Sequence, residues 1–352
     1  MKQFVFSLLA SGKNTDISLP EDFLDAQGLP FLRQYSDLLI FLKDSRVSYI
    51  YEDNEIIFQY GKISGKINVL LTENNKLRRI EVIPDFDNNK ISAQKFDEFL
   101  SSVSDKHSLL LISEKDSISV NSSKKLAVAS LIKLVVASIV FSQIRKNVLN
   151  IDSHVHIEEE YLSCLSTGLS HKDTGKEITV KELLNLMLIA SDNSAMDILI
   201  RILGNKCLSD YLHDTTKMRE NISDFALPLS KDLYKNAWCS SEDGIKSRKR
   251  SLTEVEWTNG TDYFMSLDDI YGFASDLRFF EWLPWDGLND GRRKIYKAGN
   301  APGVCSFMCL SRKAEDKEFC LSYVINSTEH VPAVAQIYAN MYAQKLIEKY
   351  QF

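Results

Sequence analysis

Cysteine, glycine and proline are scarce in this chain of 352 residues, and each shortage excludes a class of protein. Six cysteines without one Cys-x-x-Cys pair do not support a disulfide scaffold, a zinc ribbon or a thioredoxin-like redox site. Fourteen glycines and seven prolines exclude collagen-like and low-complexity chains. For Cys305 and Cys320 two interpretations stay open, a disulfide across a hairpin or free core thiols, and free thiols are favoured.

The chain also lacks a basic excess and a long apolar run. Its 42 lysines and arginines against 48 acidic residues leave a net charge of −6, so no nucleic-acid partner is expected. The longest apolar run, Leu126–Phe141, contains Lys133 and is too short to span a bilayer, so no membrane span is expected. The first ten residues resemble the stub of a secretory signal, although a buried first strand or helix explains them equally well.

The length favours two domains, at about 150 residues per domain. Residues 15–92 predict a small α+β domain, with short helices at Glu21–Ala26 and Leu29–Leu42 before an antiparallel meander. The four predicted strands are Val47–Tyr51, Glu55–Tyr60, Lys62–Leu71 and Leu77–Ile83.

Residues 105–352 predict a second domain in which strands lie at both ends and helices between them. The predicted strands are Ser108–Ser113, Ser117–Val120, Lys294–Lys297, Val304–Leu310 and Phe319–Ile325, and a closing helix covers residues 331–349. This order favours an α+β fold, in which one antiparallel sheet is assembled from both ends and covered by helices.

The most informative segment is the apolar run Leu126–Phe141, because a helix that is apolar on nearly all faces is buried. Lys133 is its only charge, and a buried ammonium must be paired or lose its proton. Ser130 lies three residues earlier, which on a helix is the same face. A desolvated lysine beside a serine hydroxyl is typical of a general base and its nucleophile. Taken alone, the pair also fits a lysine that snorkels from the helix edge, with Ser130 as the N-cap.

Two further motifs are weak when taken singly. Ser191-Asp192-Asn193 follows an apolar helix at 180–189, and its three residues are good helix N-caps. Lys297-Ala298-Gly299-Asn300 ends a predicted strand, where glycine permits close approach of a substrate backbone, and a simple turn explains it too.

The three motifs together, in this order, resemble the signature of active-site-serine β-lactamases and penicillin-binding proteins. The spacings from Ser130 to Ser191 and from Ser191 to Lys297, 61 and 106 residues, are similar to those of class A β-lactamases. The resemblance is to bacterial class A-like serine hydrolases that carry an N-terminal domain similar to steroid isomerase and NTF2-like folds. It extends over the segments Leu126–Lys133, Leu165–Leu169, Ile178–Gly204 and Lys297–Val304.

The resemblance implies an acyl-transfer mechanism with four catalytic residues. Ser130 attacks a carbonyl and Lys133, neutral when substrate binds, takes the proton. Ser191 relays that proton to the leaving group, while Lys297 orients Ser191 and supplies positive potential.

The resemblance also implies substrate-binding roles for Asn193, Gly299 and Asn300, with the N–H groups of Ser130 and Asn300 forming an oxyanion hole. No metal or organic cofactor is expected, and His154-Val155-His156 is favoured as a solvated loop or edge strand rather than a metal site. The expected partner is a small-molecule or peptide acyl substrate: an amide, an ester or a β-lactam. Export to the periplasm or the outside of the cell is expected.

The sequence departs from that family at two places. Class A β-lactamases place a water-activating Glu in an E-x-x-L-N loop, and the corresponding stretch Asn221–Ser230 lacks this motif. Ala298 replaces the usual hydroxyl residue after the third-motif lysine. Slow hydrolysis of an acyl-enzyme is therefore expected. Two alternatives stay open: a catalytically weak penicillin-binding-type module that recognises cell-wall peptide or another ligand, and a true β-lactamase with a different deacylating group.

Overall fold

The structure is a computed structural model. It describes residues 47–52, 55–71, 73, 77–87, 90–163, 166–214, 228–233, 255–279, 286–287, 293–312 and 318–350. The signal-like start and the two helices predicted before residue 43 lie outside this range. The chain divides into two compact units, one formed by the residues up to Phe96 with Pro332–Lys345, the other by Asp97–Val331 with Leu346–Phe352.

The first unit contains a four-stranded antiparallel meander. Its strands are β1 (Val47–Glu52), β2 (Glu55–Tyr60), β3 (Ile63–Leu71) and β4 (Leu77–Pro84), in that order across the sheet. The four strands predicted from the sequence are confirmed, each within two residues at either end. Alternating residues of β2 and β3 supply its buried face, as period-two patterning requires: Ile56, Phe58, Ile63 and Ile67.

Aromatic rings complete the interior of the first unit. Phe96 stacks on Tyr342 at a centroid distance of 5.0 Å, and Phe86 stacks on Tyr338 at 4.7 Å. Both tyrosines come from the helix that closes the chain, Ala333–Tyr350. Gly65 lies where a Cβ would collide with the carbonyl oxygen of Ile83 on the neighbouring strand.

The second unit contains a six-stranded antiparallel sheet in the order β11-β12-β13-β14-β5-β6. Its strands are β5 (Lys106–Ile112), β6 (Ser117–Val120), β11 (Asp286–Gly287), β12 (Arg293–Ala301), β13 (Val304–Arg312) and β14 (Glu318–Asn326). Strands β14 and β5 are neighbours although about 200 residues separate them, with Tyr323 opposite Leu109. The predicted sheet assembled from both ends of the domain is confirmed.

Seven helices and four short strands complete the described secondary structure, apart from 3₁₀ turns. The helices in chain order are α1 (Ala93–Val103), α2 (Ile132–Arg145), α3 (Val180–Leu188), α4 (Asn193–Asp214), α5 (Ser230–Leu233), α6 (Leu267–Ala274) and α7 (Ala333–Tyr350). The remaining strands are β7 (Leu126–Ala127), β8 (His154–His156), β9 (Glu177–Thr179) and β10 (Phe264–Met265).

Helix α2 forms the centre of the second unit, since every residue from Ile132 to Phe141 is buried. The prediction that the apolar run is a buried helix is confirmed for this part. It is wrong for the first residues of the run, because Leu126 and Ala127 pair with β10 as a strand. No helix among the described residues is long and apolar enough to cross a membrane.

The three described cysteines, Cys305, Cys309 and Cys320, are free and buried. In the β13–β14 ladder Cys305 lies opposite Ile325 and Cys320 lies opposite Leu310, so the two do not face each other. The preference for free thiols is confirmed and the hairpin disulfide is wrong. Burial raises the pKa of Cys305 and Cys309 to about 12, which leaves them unreactive.

Candidate active site

The side chain of Lys133 brings two of the three sequence motifs together. It lies in the first turn of α2 and is 1% exposed. Its Nζ lies 3.1 Å from Ser130 Oγ and 3.1 Å from Ser191 Oγ. It also donates to the carbonyl oxygen of Ser191 at 2.6 Å and to Asn193 Oδ1 at 2.7 Å. One buried amine therefore connects both candidate hydroxyls.

The surroundings of Lys133 favour the neutral amine. Burial is the largest cause, and the charge of Lys297 adds to it, so that the pKa of Lys133 falls from 10.5 to about 7. The carboxylates of Asp192 and Asp197 act in the opposite direction and raise this pKa. A lysine with a pKa near neutrality is suited to accept a proton from a hydroxyl at physiological pH.

Ser130 lies in a tight turn before α2 rather than within the helix. Residues Ala129–Leu131 form a 3₁₀ turn, and α2 begins at Ile132. Ser130 and Lys133 are still in contact although Ser130 lies outside the helix, because side chains three residues apart eclipse one another in 3₁₀ geometry. The turn also departs from ordinary backbone conformation, since Ala129 has a φ of 47°.

Ser191 and Asn193 are held by the turn between α3 and α4. Ser191 has a φ of 58°, in the left-handed region. Between them, the Asp192 side chain is fully buried and its Oδ1 accepts from the N–H of Ala195 at 2.7 Å, which caps α4. The helix-cap role considered for this motif is thus present alongside the contacts to Lys133.

Asp192 also ties this turn to a second loop. Its Oδ2 accepts from three successive backbone N–H groups, those of Thr167, Gly168 and Leu169, at 3.0, 2.6 and 3.0 Å. Gly168 leaves little room for a side chain, because a Cβ would lie 3.3 Å from Asp192 Oδ2 and closer still to Leu186. The carboxylate therefore fixes the position of its neighbours on both sides.

Lys297 lies on β12, 4% exposed, and burial lowers its pKa from 10.5 to about 8. Among the described residues no hydrogen bond joins Lys297 to Ser191. The expected orienting contact is therefore absent here, and Lys297 acts on the site through its charge, which lowers the pKa of Lys133.

Gly299 brings β12 against the backbone of Ser130. A Cβ at Gly299 would lie 2.8 Å from Ser130 N, 2.7 Å from Val128 O and 2.5 Å from Ser306 Oγ. The sequence predicted that this glycine admits a substrate backbone, and the structure shows that it admits the chain's own backbone. Ala298 and Asn300 flank it and both side chains are exposed.

Two buried carboxylates around this site, Asp197 and Asp262, were not predicted from the sequence. A third, Asp192, was predicted only as part of its motif. Asp197 lies one helical turn after Asn193 and accepts from Ser230 N at 2.7 Å and Ser230 Oγ at 3.0 Å. The spacing from Asn193 to Asp197 was the available signal, because residues four apart share a helix face.

Comparisons with known proteins find a similar family model and similar folds. Residues 92–253 match the family described as the Beta-lactamase enzyme family. A search of curated proteins finds no match. Among solved structures, an ancestral class A β-lactamase is 15% identical with a TM-score of 0.53, over 73% of this chain and 98% of that one.

Two other solved structures illustrate the range of the match. A β-lactamase from Sphaerobacter thermophilus is 14% identical with a TM-score of 0.52, over 74% of this chain and 98% of that one. A mutant of PBP-A, solved as its acyl-enzyme with penicillin G, is 13% identical with a TM-score of 0.51, over 74% and 97%. At identities this low the comparisons establish the fold alone, and it is the α+β fold of class A β-lactamases. Residues 92–253 are therefore similar to the Beta-lactamase enzyme family, and the chain has the fold of class A β-lactamases.

Proposed function

We propose that the protein is a serine hydrolase that forms an acyl-enzyme on Ser130. One observation carries the proposal: the Lys133 amine contacts both Ser130 Oγ and Ser191 Oγ, and its pKa is about 7. A buried lysine costs stability, and a fold that only binds a ligand has no need of it. A neutral amine between two hydroxyls is suited to move a proton from one to the other.

The proposed reaction has two stages. Ser130 Oγ attacks the carbonyl carbon of the substrate while its proton passes to Lys133 Nζ. As the bond to the leaving group breaks, Ser191 Oγ donates its proton to that group and recovers one from Lys133. Water then attacks the ester on Ser130, which releases the acid and restores the hydroxyl.

Backbone and side-chain donors complete the proposed site. The N–H groups of Ser130 and Asn300 form the oxyanion hole, where one donor contributes about 3–4 kcal/mol in enzymes that have been tested. The close approach of Gly299 to Ser130 N supports this pairing of β12 with the nucleophile turn. Asn193 Oδ1 accepts from Lys133, so its amide N–H₂ group remains to bind the acyl amide of a substrate.

The substrate is proposed to be an amide, an ester or a β-lactam, as in β-lactamases or D-alanyl-D-alanine carboxypeptidases. Deacylation is proposed to be slow, because the E-x-x-L-N motif is missing from Asn221–Ser230. The first seven residues of this stretch lie outside the described part of the chain. At the mouth of the site Ala298 offers no hydroxyl to a substrate carboxylate.

The missing glutamate motif also favours a second candidate, a penicillin-binding-type module that recognises cell-wall peptide with little or no turnover. The experiment compares wild type with Ser130→Ala on a chromogenic cephalosporin, an activated ester and a D-alanyl-D-alanine peptide. The enzyme proposal expects release of product, at least one equivalent per active site, and its loss in Ser130→Ala. Equal affinity of both proteins without any product would favour the binding module.

The resemblance also leads us to propose an NTF2-like or steroid-isomerase-like fold for the domain at residues 15–92, a β-lactamase-like domain at 105–352, and export of the protein. The meander β1–β4 supports the first of these. N-terminal sequencing of the protein recovered from its native host tests export, since an exported chain is expected to lack its first residues.

A further inference from the structure

The chain immediately before Ser130 is held by three buried polar side chains. Asn326 forms two hydrogen bonds with the backbone of Ala127. Its Oδ1 accepts from Ala127 N and its Nδ2 donates to Ala127 O, each at 2.8 Å. Ser306 Oγ donates to Val128 O at 2.8 Å. The next residue, Ala129, is held in the same way, because its backbone N–H donates to a carboxyl group.

Asp262 holds that amide. Its Oδ1 accepts from Ala129 N at 2.9 Å and from Tyr263 N at 2.6 Å. The backbone of the next residue reinforces the contact, because Val128 N donates to Tyr263 O at 2.8 Å. Two hydrogen bonds, both donated by backbone N–H groups of Val128–Ala129, thus join this segment to the acceptors of Asp262–Tyr263.

The contact falls on a strained residue. Ala129 has a φ of 47°, a conformation that alanine adopts only when its surroundings impose it. A rotation at this residue would turn both the N–H and the side chain of Ser130, which follows directly. The strain is therefore located where it sets the direction of the candidate nucleophile.

A purely structural role does not readily explain Asp262, because burying its carboxyl group costs free energy. It is 5% exposed, and among the described residues its Oδ2 has no hydrogen-bond partner. A serine would accept the same N–H without leaving a second oxygen buried and unpaired. Burial raises the pKa of Asp262 to about 7, which agrees with an oxygen that lacks a donor.

We infer that Asp262 is a positioning residue, which fixes the left-handed turn at Ala129 and so aims the hydroxyl and the N–H of Ser130 into the site. The expected effect on acylation rests on the proposed function. The coupling between Asp262 and Ala129 is a property of the fold and does not depend on that function.

The test compares two substitutions that differ in the acceptor alone. Asp262→Asn keeps an oxygen for Ala129 N, whereas Asp262→Leu has a similar volume and no acceptor. Acylation by a fluorescent penicillin and by an activated ester is followed over a range of concentrations. This separates the limiting acylation rate from the apparent dissociation constant. Asp269→Asn is the matched control, because Asp269 is a buried aspartate of the same region that pairs with Ser266 at the start of α6.

The inference expects Asp262→Leu to lower the limiting acylation rate at least 100-fold with little change in the dissociation constant. Asp262→Asn should stay within about tenfold of wild type, and Asp269→Asn should match wild type in rate. An Asp262→Leu variant that folds and acylates at the wild-type rate would overturn the inference. A fall in affinity with an unchanged limiting rate would overturn it too.

Ala129→Gly supplies a second test, because glycine adopts positive φ without strain. In the Ala129→Gly background, Asp262→Leu should lose less activity and less thermal stability than it does beside Ala129. If Asp262→Leu folds only in that background, the coupling is supported. A double variant that still does not fold shows that Asp262 acts independently of Ala129, which contradicts the inference. If wild type forms neither adduct nor product with either reagent, the proposed function fails, and the coupling is then measured from thermal unfolding alone.

Discussion

A lysine that is fully enclosed by protein has two ways to exist, as a paired ammonium or as a neutral amine. Lys133 makes four close contacts with oxygen atoms, yet its pKa is about 7 because burial and the charge of Lys297 outweigh the nearby carboxylates. The same buried lysine serves as the base of the proposed reaction and weakens the fold. Both consequences are measurable.

The first prediction concerns the pH dependence of acylation. The rate should rise as Lys133 loses its proton near pH 7 and fall as Lys297 loses its charge near pH 8, which gives a narrow bell. Lys297→Ala removes the positive charge that lowers the pKa of Lys133, so the rising limb should move to higher pH. Lys297→Arg keeps the charge and is the control. A rising limb at the same pH in all three proteins would contradict the assignment of Lys133 as the base.

The second prediction concerns stability. Below pH 7 the folded protein must carry a buried charge on Lys133 that the unfolded chain carries in water. Between about 7 and 10.5 the unfolded chain binds more protons than the folded one, so this group makes the free energy of unfolding rise with pH. At about 1.36 kcal/mol per pKa unit, the cost at pH 6 has an upper bound of about 5 kcal/mol.

Lys133→Met should therefore abolish acylation and stabilise the protein at pH 6. The gain should shrink as the pH rises toward 10, and the lost contacts to Ser191 and Asn193 offset part of it. Urea unfolding at pH 6, 8 and 9 measures the effect. Lys146→Met, an exposed lysine at the end of the same helix, should change stability little at any of these pH values. A Lys133→Met protein less stable than wild type at pH 6 would argue against the strain ascribed to this lysine.

At the scale of elements, the site is an intersection of three backbone features. These are the 3₁₀ turn before α2, the turn between α3 and α4, and the strand β12. Buried carboxylates set the positions of the first two turns, since Asp262 holds Ala129 and Asp192 holds both Ala195 and the loop at 167–169. The buried charged groups around the site therefore have structural and electrostatic effects at the same time.

The third prediction tests the structural and the electrostatic effect of Asp192 separately, with the substitution Asp192→Asn. The amide of Asp192→Asn offers one acceptor oxygen where the carboxylate offered two, so several N–H groups lose their partner. We expect the free energy of unfolding to fall by about 1–3 kcal/mol. Because the charge of Asp192 raises the pKa of Lys133, its removal should also move the rising limb of the acylation profile to lower pH.

Asp173→Asn serves as the control for this variant. Asp173 is another aspartate that accepts a backbone N–H, that of Ser170, but it lies in an exposed turn and does not act on the pKa of Lys133. Its substitution should leave the pH profile in place. A profile unchanged by Asp192→Asn would mean that the carboxylate acts on the fold alone.

Much of the architecture could be predicted at this scale, because period-two alternation and turn residues mark the strands directly. Strands β2 and β6 match their predicted ends in full, and the buried character of α2 followed from an apolar run with one lysine. The start of α2 could not be predicted, since residues 126–131 have the same apolar composition whether they form strand, 3₁₀ turn or helix.

The resemblance of the motifs to those of serine β-lactamases and penicillin-binding proteins predicted that Ser130, Lys133, Ser191 and Asn193 lie in one site. The structure places the other three within hydrogen-bonding distance of Lys133 Nζ. The role of Asp262 was beyond sequence reasoning. It lies 133 residues from Ala129 along the chain, and its contact depends on tertiary packing that no local pattern encodes. Its burial beside a strained residue appears only in three dimensions.

At the scale of the whole molecule, the chain shares the fold of proteins that hydrolyse β-lactams and of proteins described as penicillin-binding. One of the similar structures, a mutant of PBP-A, was solved as an acyl-enzyme with penicillin G. The present chain lacks the E-x-x-L-N motif that distinguishes class A β-lactamases, so it is expected to behave as a slow enzyme rather than an efficient β-lactamase.

The fourth prediction follows for the lifetime of the acyl-enzyme. After excess penicillin is removed, the adduct should persist for many minutes, because the sequence lacks the E-x-x-L-N motif that supplies a base for the attacking water in class A β-lactamases. Hydroxylamine, a nucleophile that needs no activation, should shorten this lifetime. A burst followed by rapid steady turnover would instead favour a β-lactamase with another deacylating group.

The mass of the intact protein shows whether Ser130 is a nucleophile that Lys133 activates. Wild type, Ser130→Ala and Lys133→Met are incubated separately with a penicillin and with an activated acyl ester, and adducts are located by peptide mapping. We expect an added mass equal to one acyl group on wild type, located at Ser130, and none on either variant. An adduct of the same mass on Ser130→Ala, or on another residue of wild type, would contradict this expectation.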